Sequence, residues 1–386
     1  MKPANSVLSG YGTTIFEVMS RLAVDCGAIN LGQGFPDEDG PEDLRRIAAD
    51  ALMDGPNQYP SMMGLPTLRQ AVAEHNKRFY GLDVDWQTEV MVTSGATEAL
   101  SNAIFGLVEP GDEVVLVEPL YDCYLPMVER AGGVAVRVRV TPPEWALDKA
   151  ALEAAFSDKT KLVILNSPMN PAAKVFSRDE LSVIAELVER FDCYALCDEV
   201  YEHLVFEGAT HIPLMTLPGM RQRCIRIGSA GKSFSLTGWK VGYITAAPNL
   251  LGAIAKAHQF TTFTTPPNLQ IAVAAGLRLG DDYFDHLSGD LQEKRDFLAD
   301  GLAGLGFGVV GCQGTYFLTV DCTAFLRDGE DDVAFCKRIT TEIGVAAVPV
   351  SAFYGSDAPT HFIRFCFCKK RSVLEAALEK LAVLNS

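Results

Sequence analysis

Four short segments carry residue types suited to covalent chemistry on a small molecule. Lys232 follows Ser229-Ala230-Gly231, small residues that let a lysine lie close against a ligand. A desolvated lysine has a lowered pKa and can act as nucleophile and proton carrier. Asp198 ends the apolar run Tyr194–Cys197 and opens Asp198-Glu199-Val200-Tyr201. A carboxylate there is unfavourable unless something pairs with it. Asn170 lies in Asn166-Ser167-Pro168-Met169-Asn170-Pro171, directly after another apolar run. Ser94-Gly95-Ala96-Thr97-Glu98 joins an apolar run to a helical pattern. Its small residues would present backbone N–H groups to an anion at a positive helix terminus. Each segment alone has a plain structural alternative: a solvated lysine, an N-cap aspartate, a proline turn, an N-cap serine. Their order and spacing make the set specific. The interval from Asp198 to Lys232 is long enough for a helix and a return strand.

Pyridoxal phosphate (PLP) makes all these demands at once. Its aldehyde takes a lysine, and its ring nitrogen takes an acid that keeps it protonated as an electron sink. Its phosphate takes N–H donors and cations, and its ring face takes a flat side chain. Lys232 suits the aldehyde and Asp198 the ring nitrogen. Asn170 and Tyr201 are within sequence reach of the ring oxygen. Ser229 and Lys240, the latter in Thr237-Gly238-Trp239-Lys240, suit the phosphate.

These residues need an α/β framework. From about Glu89 the chain alternates short apolar runs with helical patterns. Strands are expected at Val90–Thr93, Glu113–Val117, Val134–Val140, Leu162–Leu165, Tyr194–Cys197, Cys224–Ile227 and Val241–Thr245. Such alternation indicates a largely parallel sheet between helices, with ligands gathered at the strand ends. A long helix from Asp281 and strands at Thr315–Val320 and Phe362–Phe367 suggest a smaller α+β unit. The loop-rich first forty residues are expected to pack with it.

Composition narrows the field. With 386 residues, two domains are expected. A net charge of −16 argues against nucleic acid or an anionic membrane as partner. No apolar run approaches a membrane span, and the first residues do not resemble a secretory signal. The ten cysteines are scattered in apolar runs, as reduced core residues of a cytoplasmic protein would be. The six histidines show no metal-ligand spacing, so no metal is expected. Gly231-Lys232-Ser233 resembles the end of a phosphate-binding P-loop, but Arg226 stands where that loop needs glycine. Gly306-Phe307-Gly308-Val309-Val310-Gly311 follows a helical pattern rather than a strand, which weakens a dinucleotide reading.

The segment from Ser229 to Lys240, Ser-Ala-Gly-Lys-Ser-Phe-Ser-Leu-Thr-Gly-Trp-Lys, resembles the PLP-lysine segment of class I aminotransferases. The likeness is strongest to the branch with kynurenine aminotransferase (glutamine transaminase K) and bacterial methionine aminotransferase. It extends to Asn30–Asp37, Asn57–Tyr59, Tyr121–Tyr124, Asp198–Tyr201, Gly314–Phe317 and Ile363–Phe367. The resemblance implies PLP-dependent transferase fold type I, with a mostly parallel seven-stranded sheet in a large domain over 42–280. Residues 1–41 and 281–386 would form the small α+β domain. It implies Lys232 as the Schiff-base lysine and proton carrier, Asp198 on the pyridinium, and Asn170 and Tyr201 on the ring oxygen. Gly95, Ala96, Thr97, Ser229 and Lys240 would bind phosphate, and Tyr121 would stack on the ring. Tyr59 would serve the other subunit of a homodimer with shared sites.

Arg364 would fork onto the substrate α-carboxylate, with Gly34 helping to close that end. Phe16, Tyr121, Phe263 and Tyr316 would line the side-chain pocket, although core packing alone explains Tyr316. Two departures stand out. Ala172-Ala173-Lys174-Val175 replaces a loop that often holds glycine, and Thr264 stands where kynurenine-active relatives often have histidine. The second shifts the expected substrates toward methionine and other neutral amino acids. A cysteine-conjugate C–S β-lyase at the same site is an alternative. A succinyl-diaminopimelate transaminase is another, needing an additional cation. A PLP-binding regulator is disfavoured, because nothing before Tyr11 is long enough for a DNA-binding module.

Overall fold

The computed structural model describes residues 2–385. Its central sheet has seven strands: β1 (Val90–Thr93), β2 (Glu113–Glu118), β3 (Val134–Arg139), β4 (Thr160–Asn166), β5 (Tyr194–Asp198), β6 (Cys224–Ser229) and β7 (Gly242–Ala246). Their order is β1-β7-β6-β5-β4-β2-β3. All run parallel except β7, which is antiparallel to both neighbours. Strands buried on both faces read as continuous apolar runs, and β1 and β5 do so here. Alternate residues still face opposite layers. Leu116, Ile164, Leu196 and Ile225 meet Leu100 and Ile104 of the helix Gly95–Leu107. Val115, Val163, Ala195 and Cys197 meet Leu181, Ile184 and Val188 of the helix Arg178–Arg190. At the edge, β3 carries Arg137 and Arg139, both paired with Glu118. Charge at an edge strand discourages further pairing.

Chain direction concentrates the loops. From β2 the chain crosses to β3 on one side, and from β4 it crosses to β5 on the other. This reversal opens a crevice beyond the carboxyl ends of the strands. Register sets Asn166 beside Asp198, and Asp198 beside Ile227. The polar residue closing each strand therefore emerges next to that of its neighbour.

A second sheet contains β8 (Gly308–Val309), β9 (Phe317–Asp321), β10 (Val348–Pro349) and β11 (Phe362–Cys366), in the antiparallel order β10-β11-β9-β8. The long helix Asp281–Leu305 packs with the helix Arg371–Leu381. Ile29–Asn30 pairs in parallel with Val345–Ala346, and the Cys366 N–H donates to the Leu31 carbonyl. The N-terminal segment is thus stitched to the strand that carries Arg364.

Two elements differ from expectation. β9 starts at Phe317 rather than Thr315, because Thr315 adopts a φ of 69° and its hydroxyl accepts the Phe317 N–H. A left-handed threonine interrupts an extended strand. The helix Pro267–Leu277 was hidden by its nearly uniform apolar character, which is how a buried helix reads.

Candidate active site

At one end of the crevice, Gly95 opens its helix with a φ of 74°. A Cβ there would sit 3.2 Å from Lys240 Cε and 3.3 Å from its Nζ. Glycine is thus required both by the backbone and by the lysine lying against it. Gly242 is required too, since its Cβ would come within 2.6 Å of the Gly95 carbonyl carbon. The Ser94 side chain does not cap the helix. Instead Glu98 accepts the Ser94 N–H and is held by His258 at 2.6 Å. This leaves the Ala96 and Thr97 amides, in the first helical turn, without intrahelical acceptors. Buried Ser229 closes β6 at the same end.

Lys232 occupies the short helix Ala230–Ser233, immediately after β6. Its Nζ donates to the Tyr316 hydroxyl at 2.7 Å, and that hydroxyl donates to the Gly34 carbonyl at 2.6 Å. Tyr201 crosses Tyr316 edge to face, with centroids 5.3 Å apart. Burial lowers the Lys232 pKa, against the opposing pull of Cys368, Cys366 and Asp198. A Cβ on Gly34 would fall 2.5 Å from the Phe317 ring, so only glycine brings this carbonyl to Tyr316.

Asp198 is 4% exposed at the end of β5. It accepts the Tyr124 hydroxyl at 2.6 Å and the Val200 N–H at 3.5 Å. Burial raises its pKa, while Tyr124, Val200 and Lys232 pull the other way. Asn166 donates to the Asp198 carbonyl and accepts the Asn170 N–H at 2.7 Å, which fixes the loop after β4.

Arg364, in the middle of β11, is fully buried. Its Nη1 donates to Asn170 Oδ1 at 2.7 Å and its Nη2 to the Gly32 carbonyl at 2.8 Å. The guanidinium lies 3.8 Å from the Phe317 ring centroid and 5.1 Å from that of Phe16. Its Nε has no partner. Burial lowers its pKa to about 10. A buried, charged donor with unused capacity is a strong site for a carboxylate.

A cavity of about 400 Å³ joins these groups. It runs from Gly95, Ala96 and Thr97 past Tyr121, Asp198 and Lys232 to Gly34, Phe16 and Arg364. Asn170, Tyr201, Ser229 and Lys240 border it as well. Tyr316 reaches the site through its hydroxyl, a polar role that core packing does not describe. Phe263 stands apart from the other expected pocket residues. It lies outside the cavity of its own chain, at a φ of 70°, packed edge to face on Tyr59 at 5.6 Å. Both rings are exposed, Tyr59 at 83%.

Sequence reading gave no role to Tyr124, Asp122, Gln33 or Phe35, which also line the cavity. The spacing of Tyr121 and Tyr124 was the available signal, since residues three apart share a face of a helical turn. The histidines also group in a way that spacing could not reveal. His75, His203 and Glu202 have ligand atoms within 4.8 Å of one another. The Glu202 carboxylate is already engaged by Arg226, Tyr80 and Tyr243, and Arg226 also binds Glu199. The arginine that spoiled the P-loop pattern is therefore the centre of a buried ion network.

With this geometry established, residues 27–381 match the family model for aminotransferase class I and II. The chain belongs to this family. A probable N-succinyldiaminopimelate aminotransferase of Mycobacterium tuberculosis is 44% identical over 98% of both chains. The solved structure of the M. tuberculosis N-succinyldiaminopimelate aminotransferase superposes with a TM-score of 0.96, covering 99% of this chain and 100% of the other. The Escherichia coli methionine aminotransferase is 41% identical over 98% of both chains. A mouse kynurenine–oxoglutarate transaminase is 39% identical over 98% of this chain and 90% of its own. These relatives are named for amino transfer, not for C–S cleavage. The chain is an aminotransferase of fold type I.

An aminotransferase of this family implies PLP. The residues present fit it. Gly95 is a cradle that a Cβ would fill, Lys240 lies beside that cradle, and an amine and a buried carboxylate border the same cavity. The unpartnered Nε of Arg364 leaves a donor for the substrate.

Proposed function

We propose that this aminotransferase moves the amino group of a neutral, sulfur-containing or aromatic L-amino acid to a 2-oxo acid, using PLP held covalently by Lys232. One observation carries the reading: a desolvated lysine, a buried aspartate and a half-satisfied buried arginine border one cavity. When bound, PLP supplies the electron sink that makes the substrate Cα–H acidic. Lys232, whose pKa burial lowers, would take the substrate Cα proton and return it at the cofactor C4′. Tyr316 orients that amine. Asp198 keeps the ring nitrogen protonated, Asn170 and Tyr201 bind the ring oxygen, and Tyr121 covers the ring. The Gly95–Thr97 amides, Ser229 and Lys240 hold the phosphate. Arg364 binds the α-carboxylate, with Gly34 closing that end.

The substrate class follows from charge. Among the described residues, the cations lining the cavity are Lys232, Lys240 and Arg364, and each already has a task. Phe16, Phe35 and Phe317 border the carboxylate end. This supports a side chain without an anion, as does the name of the E. coli relative. Succinyl-diaminopimelate, suggested by the name of the M. tuberculosis relative, carries further carboxylates that these three cations leave unpaired.

The same reading includes a homodimer in which Tyr59 serves the neighbouring site. The exposed Tyr59–Phe263 ring pair supports it. Large exposed apolar clusters mark interfaces. Phe263 would then line the partner's pocket rather than its own. The division into 42–280 and 1–41 with 281–386 is supported by the pairing of Ile29–Asn30 with Val345–Ala346. A cytoplasmic location is supported by ten free cysteines. No helix among the described residues is long and apolar enough to cross a membrane.

The test is spectroscopic. Wild type incubated with PLP should show the visible band of the lysine-bound cofactor, and L-methionine should bleach it. Lys232→Ala should show neither. A wild-type band that methionine leaves untouched would retain the cofactor assignment and reject the substrate class.

A further inference from the structure

We propose that His258 is a positioning residue for the cofactor phosphate: as a buried imidazolium it cancels the charge of Glu98, the carboxylate that holds the phosphate turn. The inference rests on the PLP reading above and deepens it.

Glu98 lies in the first turn of the helix Gly95–Leu107, next to the cavity-lining Gly95, Ala96 and Thr97. One of its oxygens accepts the Ser94 N–H, and the other accepts the Asn102 amide at 2.8 Å. Donors around a carboxyl favour its ionised form. Burial opposes this, yet the bonds from His258, Ser94 and Asn102 hold the Glu98 carboxyl below its usual range.

His258 comes from the helix Pro248–Thr261, which packs on the Gly95 helix, and it is fully buried. Its Nδ1 faces Glu98 Oε1 at 2.6 Å, and its Nε2 faces the Met62 carbonyl at 3.0 Å. A neutral imidazole has one donor nitrogen and one acceptor nitrogen, whereas an imidazolium has two donors. An ionised carboxylate and a backbone carbonyl only accept. Both ring nitrogens therefore carry hydrogen, and His258 is a cation.

The place of this charge gives it a role. A bare carboxylate at a helix N-terminus takes up the positive end that an anionic ligand would use. Glu98 is bonded to the amide just before Gly95, and it would also compete for Lys240, which lies against Gly95. Pairing with His258 lets Glu98 fix the turn as an acceptor while its charge is neutralised within the protein. The helix terminus and Lys240 then remain available to phosphate. A neutral side chain in place of His258 would set a buried negative charge against the phosphate, where screening is weak.

Two measurements test this. In holoenzyme with isotope-labelled histidine, nitrogen NMR at neutral pH should show one histidine with hydrogen on both ring nitrogens. That signal should be absent from His258→Gln and from the double variant His258→Gln/Glu98→Gln. If the signal that these variants lose shows a bare ring nitrogen, the inference is overturned. Second, PLP and pyridoxal, which lacks the phosphate, are titrated into cofactor-free wild type and both variants. His258→Gln should bind PLP at least about tenfold more weakly than wild type, and pyridoxal about equally well. The double variant should recover most of the PLP affinity, because the pair is again neutral. A merely structural role would weaken both ligands, and the second substitution would deepen the loss. Equal losses for PLP and pyridoxal, or a double variant as weak as the single one, overturn this inference alone. A wild type without the band of lysine-bound PLP overturns the cofactor reading and this inference with it.

Discussion

The Lys232 amine donates to the Tyr316 hydroxyl, and Tyr316 passes the chain of hydrogen bonds on to the Gly34 carbonyl. Three distant segments are thereby joined at the nitrogen expected to move the proton. Tyr316 comes from the loop before β9, Gly34 from the N-terminal segment, and Lys232 from the end of the central sheet's β6. The amine is aimed as well as desolvated. Its direction depends on a hydroxyl that sequence reading set among pocket aromatics or core packing.

Tyr316→Phe should preserve the ring packing on Tyr201 and Phe317 while removing this hydroxyl. Lys232 and the Gly34 carbonyl would each lose a partner. A lost hydrogen bond to a charged or buried group costs about 1.5–3 kcal/mol, so kcat/KM should fall roughly tenfold to hundredfold. Steady-state kinetics with methionine checks this. An unchanged rate would show that Tyr316 only fills space.

Arg364→Lys keeps a positive charge but loses the planar fork that bonds Asn170 and the Gly32 carbonyl together. Lysine is a point charge and cannot make two parallel bonds to a carboxylate. The expected loss is about 2–3 kcal/mol, roughly a hundredfold in kcat/KM, with most of it in KM. Equal effects on donor and acceptor are expected, because both carry the same α-carboxylate. A loss confined to kcat would place Arg364 outside substrate binding.

Gly95→Ala tests the phosphate cradle. The added methyl meets Lys240 at 3.2 Å, on a backbone whose φ is 74°. A non-glycine residue held in that region costs about 1–3 kcal/mol. The variant should bind PLP at least about tenfold more weakly, measured by titrating cofactor-free protein. Normal affinity would mean that the phosphate does not approach this turn.

What was legible in the sequence shared one physical origin. Asp198, Asn170, Ser229 and Lys232 end or follow buried strands, where a polar residue after an apolar run is conspicuous, and a parallel sheet brings such ends together. What was not legible depended on distance or backbone conformation. The Arg364–Asn170 bond spans 194 residues, and only the strand register of the second sheet delivers it. Nothing local marks Thr315 as left-handed, so the start of β9 was misplaced. Phe263 was placed in the pocket by resemblance alone. Its exposure beside Tyr59 shows that a single chain does not enclose it. Arg226 was read only as the absence of a glycine, because its partners Glu199 and Glu202 lie on a different strand end.

Asp198 sets cofactor binding against folding. Burial raises its pKa above the ordinary value of 3.8. The folded protein then holds this proton to higher pH than the unfolded chain does. Cofactor-free stability should fall as pH rises from the unfolded value through the raised one, leaving Asp198 unfavourable at neutral pH. Asp198→Asn keeps an oxygen to accept from Tyr124 but has no charge to desolvate. Without PLP, the variant should equal or exceed wild type in stability at neutral pH and lack this pH-dependent loss. With PLP, the order should reverse, because the carboxylate gains the protonated ring nitrogen as partner and the amide does not. Denaturant midpoints across a pH series, with and without PLP, read both effects. A cofactor-free variant less stable than wild type by more than about 1 kcal/mol at neutral pH would mean that the Tyr124 and Val200 hydrogen bonds outweigh desolvation.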